Sequence, residues 1–363
     1  MSKVVSCNCP TKPDVFTDTS IFKLDTLAQL RETGIVNPLY PLVSKDYTPN
    51  QKNLGKRSSA KCLSDTFVYK LVDLVSPLTK SYWQSYWCTR IVSQSGSNLK
   101  TRYCNQRWCL VCNRIRAAKL MGGYSLAIDQ MVDPQFVTLT RPNVKGKRLR
   151  LTIEDMQLKF VRSKDVVNYQ CKENGLSLVG IRKVECTYNA ERDDYHPHLH
   201  CIVDGKEQAD LLVAQWLKQN PKAKPYAQDV RPCNDPIELF KYFTKMVSKD
   251  GHFHAKEMDI VFRAMYRKRV FQPFGGIKKH SEDVEVKEQT ECDWKLPQET
   301  LWEYKMAGKF TDWYNEHGEP LTNIEIPQKT LEYIEKISNP KLSNEPRKRQ
   351  TESKANSTGY VRA

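Results

Sequence analysis

Hydrophobic and polar positions fall into a regular succession of two patterns between Pro134 and about His280. QFVTLTR (135–141), LVGIRKVECTY (178–188) and HLHCIV (198–203) alternate side chains with the period of two expected of strands. Residues 154–173, 208–219 and 236–248 instead space apolar side chains three and four apart, which predicts helices. A short strand near 228–231 is expected before the last of them. The last helix has clear ends and faces. Asp235 can cap it, and Pro236 suits its first turn. Ile237, Phe240, Phe243 and Val247 form its apolar stripe, while Glu238, Lys241, Tyr242, Lys245 and Lys249 share the other face. Strands and helices interleaved in this way predict an α+β domain over 126–280.

The flanks read differently. Residues 1–75 mix Pro, Ser and Lys without a sustained period and are expected to form a partly ordered arm. Residues 76–125 are rich in Cys and Arg and are expected to form a small metal- and DNA-binding module. Region 281–363 opens acidic, offers a helical stretch near Glu303–Asn315, and closes on a Pro/Ser/Lys/Arg tail expected to be disordered.

Charge narrows the partners. The chain has a formal net charge of +15, and between Lys100 and Arg150 only Asp129 and Asp133 oppose a dense run of Lys and Arg. Tyr103 and Trp108 are interleaved there, as expected where bases stack and phosphates are neutralised. No apolar run is long enough to cross a bilayer, and MSKVVSCNCPTKPD lacks the apolar centre of a secretion signal. A cytoplasmic protein with no membrane partner is expected. In a reducing compartment, twelve cysteines point to metal rather than to disulfides.

Three groups carry candidate chemistry. Cys109 and Cys112 form a CxxC half-site that Cys88 and Cys104 could complete as a closed, structural Zn²⁺ site; otherwise the thiols are unliganded. On a strand, His198 and His200 point to one face, a clamp suited to a divalent ion, with His196 beside them at the edge. Lys183, Glu185 and Thr187 share a face of the preceding strand. Antiparallel pairing would bring Glu185 to the histidines as a ligand, and the alternative is a surface glutamate paired with Lys183. Glu238 and Tyr242 are helix neighbours four apart. They could serve as general base and nucleophile, or as a capping residue and a surface tyrosine.

Taken together, FVTLT (136–140), HPHLHCIV (196–203) and IELFKYFTK (237–245) resemble the motifs of the HUH endonucleases, specifically the single-tyrosine initiators of rolling-circle replication in small plasmids and phages. KVECTYN (183–189) is similar to the family's acidic strand, and QPFGGIKK (272–279) to a strand after its tyrosine helix. The likeness runs from about Tyr82 to His280. It implies an HUH core, an RRM-like antiparallel sheet flanked by helices, preceded by the Cys-rich module. It implies Mg²⁺ or Mn²⁺ on His198, His200 and Glu185. Tyr242 would attack the origin strand, stay joined to the 5′ end and free a 3′ hydroxyl, with Glu238 assisting termination. Lys241, Lys245, Arg107, Arg114 and Arg116 would contact DNA. Host helicase and polymerase in a bacterial cytoplasm would be the partners. A transposase of the same chemistry, or a zinc-dependent DNA-binding regulator without nuclease activity, remains open at this point.

Overall fold

The computed structural model describes residues 49–95, 98–240, 253–280 and 300–338. The 1–48 part of the N-terminal arm, most of the predicted tyrosine helix and the basic tail lie outside the described residues.

Five antiparallel strands form the larger sheet. They are β3 (Pro134–Thr140), β4 (Gly180–Asn189), β5 (Asp194–Asp204), β6 (Asp229–Pro232) and β7 (Phe271–Phe274), in the order β6-β3-β5-β4-β7. The smaller sheet has the order β2-β1-β8-β9, from β1 (Ile91–Ser95), β2 (Asn98–Thr101), β8 (Thr300–Lys305) and β9 (Asp312–Tyr314). The helices are α1 (Pro49–Val72), α2 (Thr79–Tyr86), α3 (Leu110–Asp129), α4 (Gly146–Glu173), α5 (Lys206–Gln219), the short α6 (Ile237–Phe240), α7 (Ala255–Met265) and α8 (Gln328–Ser338). The α+β class read from the patterning is observed.

The pleat sorts the large sheet into two faces. Val137, Leu139, Val184, Cys186, Leu199, Cys201 and Val203 turn toward α4, α5 and α7 and form the main core. Helix α4 answers with Leu149, Ile153, Met156, Phe160, Val167 and Cys171, spaced to keep one stripe on the sheet. That stripe extends to Leu149, and so the helix begins at Gly146 rather than at 154. Trp216 of α5 is fully buried and donates its indole N–H to the Thr140 carbonyl at 3.0 Å.

The opposite face changes character row by row. Phe136, Ile202 and Ile181 lie side by side across β3, β5 and β4, and pack with Leu239, Phe240 and Tyr124. The next row is Thr138, His200 and Lys183, and the row after it Thr140, His198 and Glu185. An apolar floor thus gives way within two residues to a polar ledge.

Two segments depart from the sequence reading. PNQKNLGKRSSAK, assigned to the arm, lies within α1, whose Lys61 and Asp65 are wholly buried and paired at 2.6 Å. Arg90 approaches the same carboxylate at 3.4 Å. Buried charge partnered in this way reads as polar in a sequence although it belongs to a core. The predicted helix at Glu303–Asn315 is instead a pair of strands. Trp302 and Tyr304 alternate inward on β8, the period of two that aromatic-rich strands favour, and β8 pairs with β1.

Candidate metal centres

The first cluster is built by three short segments. Cys88 follows α2, Cys104 follows β2, and Cys109 and Cys112 open α3. All four sulfur atoms lie within 4.8 Å of one another. Cys112 Sγ is 3.5 Å from that of Cys88 and 3.6 Å from that of Cys104. A tetrahedral Zn²⁺ with Zn–S bonds of about 2.3 Å would set its sulfurs about 3.8 Å apart, close to this spacing. The backbone is shaped to the sulfurs: Thr89 and Asn105, the residues after Cys88 and Cys104, have φ of 54° and 53°. The turn at Asn105 lets the Gln106 N–H point at Cys104 Sγ, 3.4 Å away. A β-branched residue such as Thr89 adopts this conformation only where its surroundings impose it. Hydrogen bonds from Cys104, Cys112 and Cys88 hold the Cys109 thiol well below its ordinary range, while Cys88 and Cys104 are pushed up. Four crowded thiols sharing negative charge are a donor set that fits a thiophilic divalent ion.

The second cluster lies on the polar ledge. His198 Nε2 and His200 Nε2 are 3.1 Å apart, and each is 3.6 Å from Glu185 Oε2. The far nitrogens are occupied. His198 Nδ1 donates to the His196 carbonyl at 3.0 Å, and His200 Nδ1 pairs with the Thr138 hydroxyl at 3.2 Å. Such pairing fixes the ring orientations and turns the Nε2 atoms of both histidines toward the cluster. Burial together with the nearby His198 lowers His200 to about 4 even though Glu185 opposes it, so its imidazole is neutral at pH 7. Burial pushes the Glu185 carboxyl up, but the His198 hydrogen bond and the Lys183 ammonium outweigh it and bring it to about 2. Two imidazole nitrogens and one carboxylate oxygen therefore converge on one point. An octahedral ion with bonds of about 2.1 Å places adjacent ligands about 3.0 Å apart, near the separation of the two nitrogens.

His196 is outside this group of three. Its ring stacks on His198 with centroids 4.9 Å apart, and its Nδ1 pairs with Asn143 Oδ1 at 2.7 Å. Glu238, at the start of α6, is held by Arg231 at 2.8 Å and is close enough to His200 to act on its charge. The Arg231 guanidinium in turn lies 4.8 Å from the centre of the Phe136 ring, which neighbours His200. Tyr242, Lys241 and Lys245 lie outside the described residues. The three arginines proposed for DNA diverge: Arg114 donates to the Lys56 carbonyl of α1, whereas Arg107 and Arg116 line a cavity whose wall also includes Lys183.

Sequence reasoning overlooked Arg231 and Thr138. Arg231 sits on an exposed edge strand with no motif around it. Thr138 was visible inside FVTLT, but only the register to His200 gives it a task. Lys183 and Glu185, neighbours on one face of β4, form a 2.5 Å ion pair on the polar ledge itself.

Residues 97–208 match a family described as replication protein. That stretch contains three of the four cysteines and the whole Glu185–His198–His200 cluster. The chain is similar to a "Protein rep" of Streptococcus pneumoniae serotype 2 (strain D39 / NCTC 7466), 34% identical over 108 residues that make up 28% of this chain and 32% of the relative. It is likewise 34% identical over 110 residues to a "Protein rep" of Staphylococcus aureus, covering 29% and 46% of the two chains. A "Protein rep" of Bacillus amyloliquefaciens is 33% identical over 126 residues, 33% of this chain and 35% of that one. The resemblance to Rep-type rolling-circle initiators, stated from the motifs, stands on these matches. The chain spans about a third of the length of the first of these relatives. No solved structure matches it. No helix among the described residues is long and apolar enough to cross a membrane.

Proposed function

We propose that this protein initiates rolling-circle replication by nicking single-stranded DNA at an origin through Tyr242. The observation that carries the reading is the convergence of Glu185, His198 and His200 on one face of an antiparallel sheet, beside the helix start that bears Glu238. In this reading 126–280 is an HUH endonuclease body and 76–125 a zinc-bearing DNA-binding module.

Mg²⁺ or Mn²⁺ held by Glu185, His198 and His200 would supply Lewis acidity to the scissile phosphate. The protein's own groups do the rest. Leu239 and Phe240 pack on the Phe136–Ile202 floor, which anchors α6 two residues before Tyr242. The Tyr242 phenol loses its proton and its oxygen attacks phosphorus. The bond to the 3′ oxygen breaks, that oxygen takes up a proton, and the 5′ phosphate remains on the tyrosine. The bond energy is conserved for rejoining. Glu238 takes a proton from the later attacking water or hydroxyl, which ends the round. Lys241 and Lys245 neutralise phosphates, and the freed 3′ hydroxyl is passed to a host polymerase with a helicase opening the duplex.

The test is covalent capture of a single-stranded origin oligonucleotide in Mn²⁺. Wild-type protein should form a denaturation-resistant adduct, and Tyr242→Phe should form none. Adduct formation by the phenylalanine variant would assign the nucleophile elsewhere.

A further inference from the structure

Helix α4 is 28 residues long and carries apolar side chains on two opposite sides. One stripe, with Ile153, Phe160 and Val167, is buried against the large sheet. On the far side Leu151, Leu158 and Tyr169 are exposed at 67%, 50% and 64%, with Val161 and Val166 beside them at 39% each. At 3.6 residues per turn, Leu151, Leu158 and Tyr169 fall almost on one line along the helix, and Arg162 and Asp165 lie between the last two. A surface helix normally turns charge to solvent. Apolar side chains gathered on its outer side mark a surface that another molecule covers.

We infer that α4 pairs with α4 of a second copy of this chain, antiparallel, about a two-fold axis that crosses the helix between Ser163 and Lys164. That register places Leu158 against the partner's Tyr169, Val161 against the partner's Val166, and Arg162 against the partner's Asp165. Each contact occurs twice, as a two-fold axis requires. Asp165 also turns to its chain neighbour Lys164 at 2.5 Å, but its side chain stays 59% exposed and can accept from an arginine as well. Other arrangements fail on the same pattern. A parallel pair sets each Arg162 against its own copy, and an antiparallel pair slid by two turns sets Leu158 against Arg162 or Arg162 against Lys172. The mixed charge within the stripe also disfavours DNA, which would meet Asp165, and a lipid surface, which would have to take in both ions. Because α4 covers the face of the large sheet opposite the polar ledge, a pair joined here keeps both Glu185–His198–His200 clusters facing outward. Pairing through α4 therefore leaves each ledge open and does not depend on the reaction assigned to Tyr242.

Sedimentation velocity of the full-length protein without DNA, from about 1 to about 100 μM and at about 0.15 M salt, reads the association. At that ionic strength the net charges of the two copies, +15 each, are screened beyond about 8 Å. A seam of about five helical turns sits at the low end of specific interfaces, so a dissociation constant on the order of 10 μM is expected. Leu158→Lys should weaken it about tenfold or more. Arg162→Asp alone and Asp165→Arg alone should each weaken it, since each sets like charges together. An equimolar mixture of these two variants should associate as the wild type does, because both contacts then join opposite charges again. All three changes are on the exposed side of the helix and should leave the melting temperature unaltered. A wild-type protein that is still monomeric at about 100 μM would overturn the pairing, and a host protein or another segment of this chain would then be what covers the stripe. Dimers that survive Leu158→Lys would place the interface elsewhere. A mixture that associates no better than the single variants would overturn the antiparallel register.

Discussion

The two candidate metal centres gather ligands by opposite means. The cysteine cluster collects four sulfurs from three loop-and-helix junctions, in positions mostly sealed from solvent. The ledge cluster takes its three ligands from two adjacent strands, at register positions that the pleat alone aligns. A closed set of four leaves an ion no free position and suits a structural role, whereas three ligands on one side leave room for a substrate oxygen. The difference teaches that ligand count and enclosure, more than ligand identity, separate a staple from a reactive centre.

The sharpest way to break that contrast is to remove one ligand from each. Cys109→Ser should release zinc and lower the melting temperature on the order of 10 °C or more, because a structural site contributes folding free energy. Metal analysis with thermal unfolding reads both, and an unchanged melting temperature would reassign the cluster. His200→Ala should leave melting nearly unchanged while reducing Mn²⁺ affinity about a hundredfold or more, measured by titration calorimetry. A large loss of stability with metal retained would reverse the two roles. Thr138→Val, which deletes the partner of His200 Nδ1 but no ligand, should cost Mn²⁺ affinity about tenfold.

The same contrast explains what could be read without coordinates. A period of two put His198 and His200 on one face, and the alternation in KVECTY put Glu185 where an antiparallel neighbour could meet them. Local periodicity is enough when ligands sit on paired strands. The cysteine cluster was legible as a CxxC half-site that Cys88 and Cys104 could complete, but the turns at Thr89 and Asn105 that let them reach Cys109 leave no trace in any apolar period. The union of β1 with β8 joins residues some two hundred apart, and the intervening sequence gives no sign of it. Buried Lys61 and Asp65 misled in the other direction: charge in a helix is normally a solvated face, and only their mutual pairing, with Arg90, makes it core.

Arg231 offers the finest test of how the ledge is tuned. Its ion pair with Glu238 is nearly half exposed on both sides, at 46% and 43%, so water and salt leave it worth little to stability. Arg231→Ala should therefore leave melting and Mn²⁺ affinity unaltered. Its effect should fall on the step assigned to Glu238, slowing hydrolytic release of the covalent adduct about threefold to tenfold while the first cut proceeds at its usual rate. Arg231→Lys, which keeps the charge but not the guanidinium that reaches both Glu238 and Asp229, should recover part of the loss. Release at the wild-type rate in Arg231→Ala would reduce the contact to an ordinary surface pair, and Glu238 would then have to be oriented by the DNA rather than by the protein.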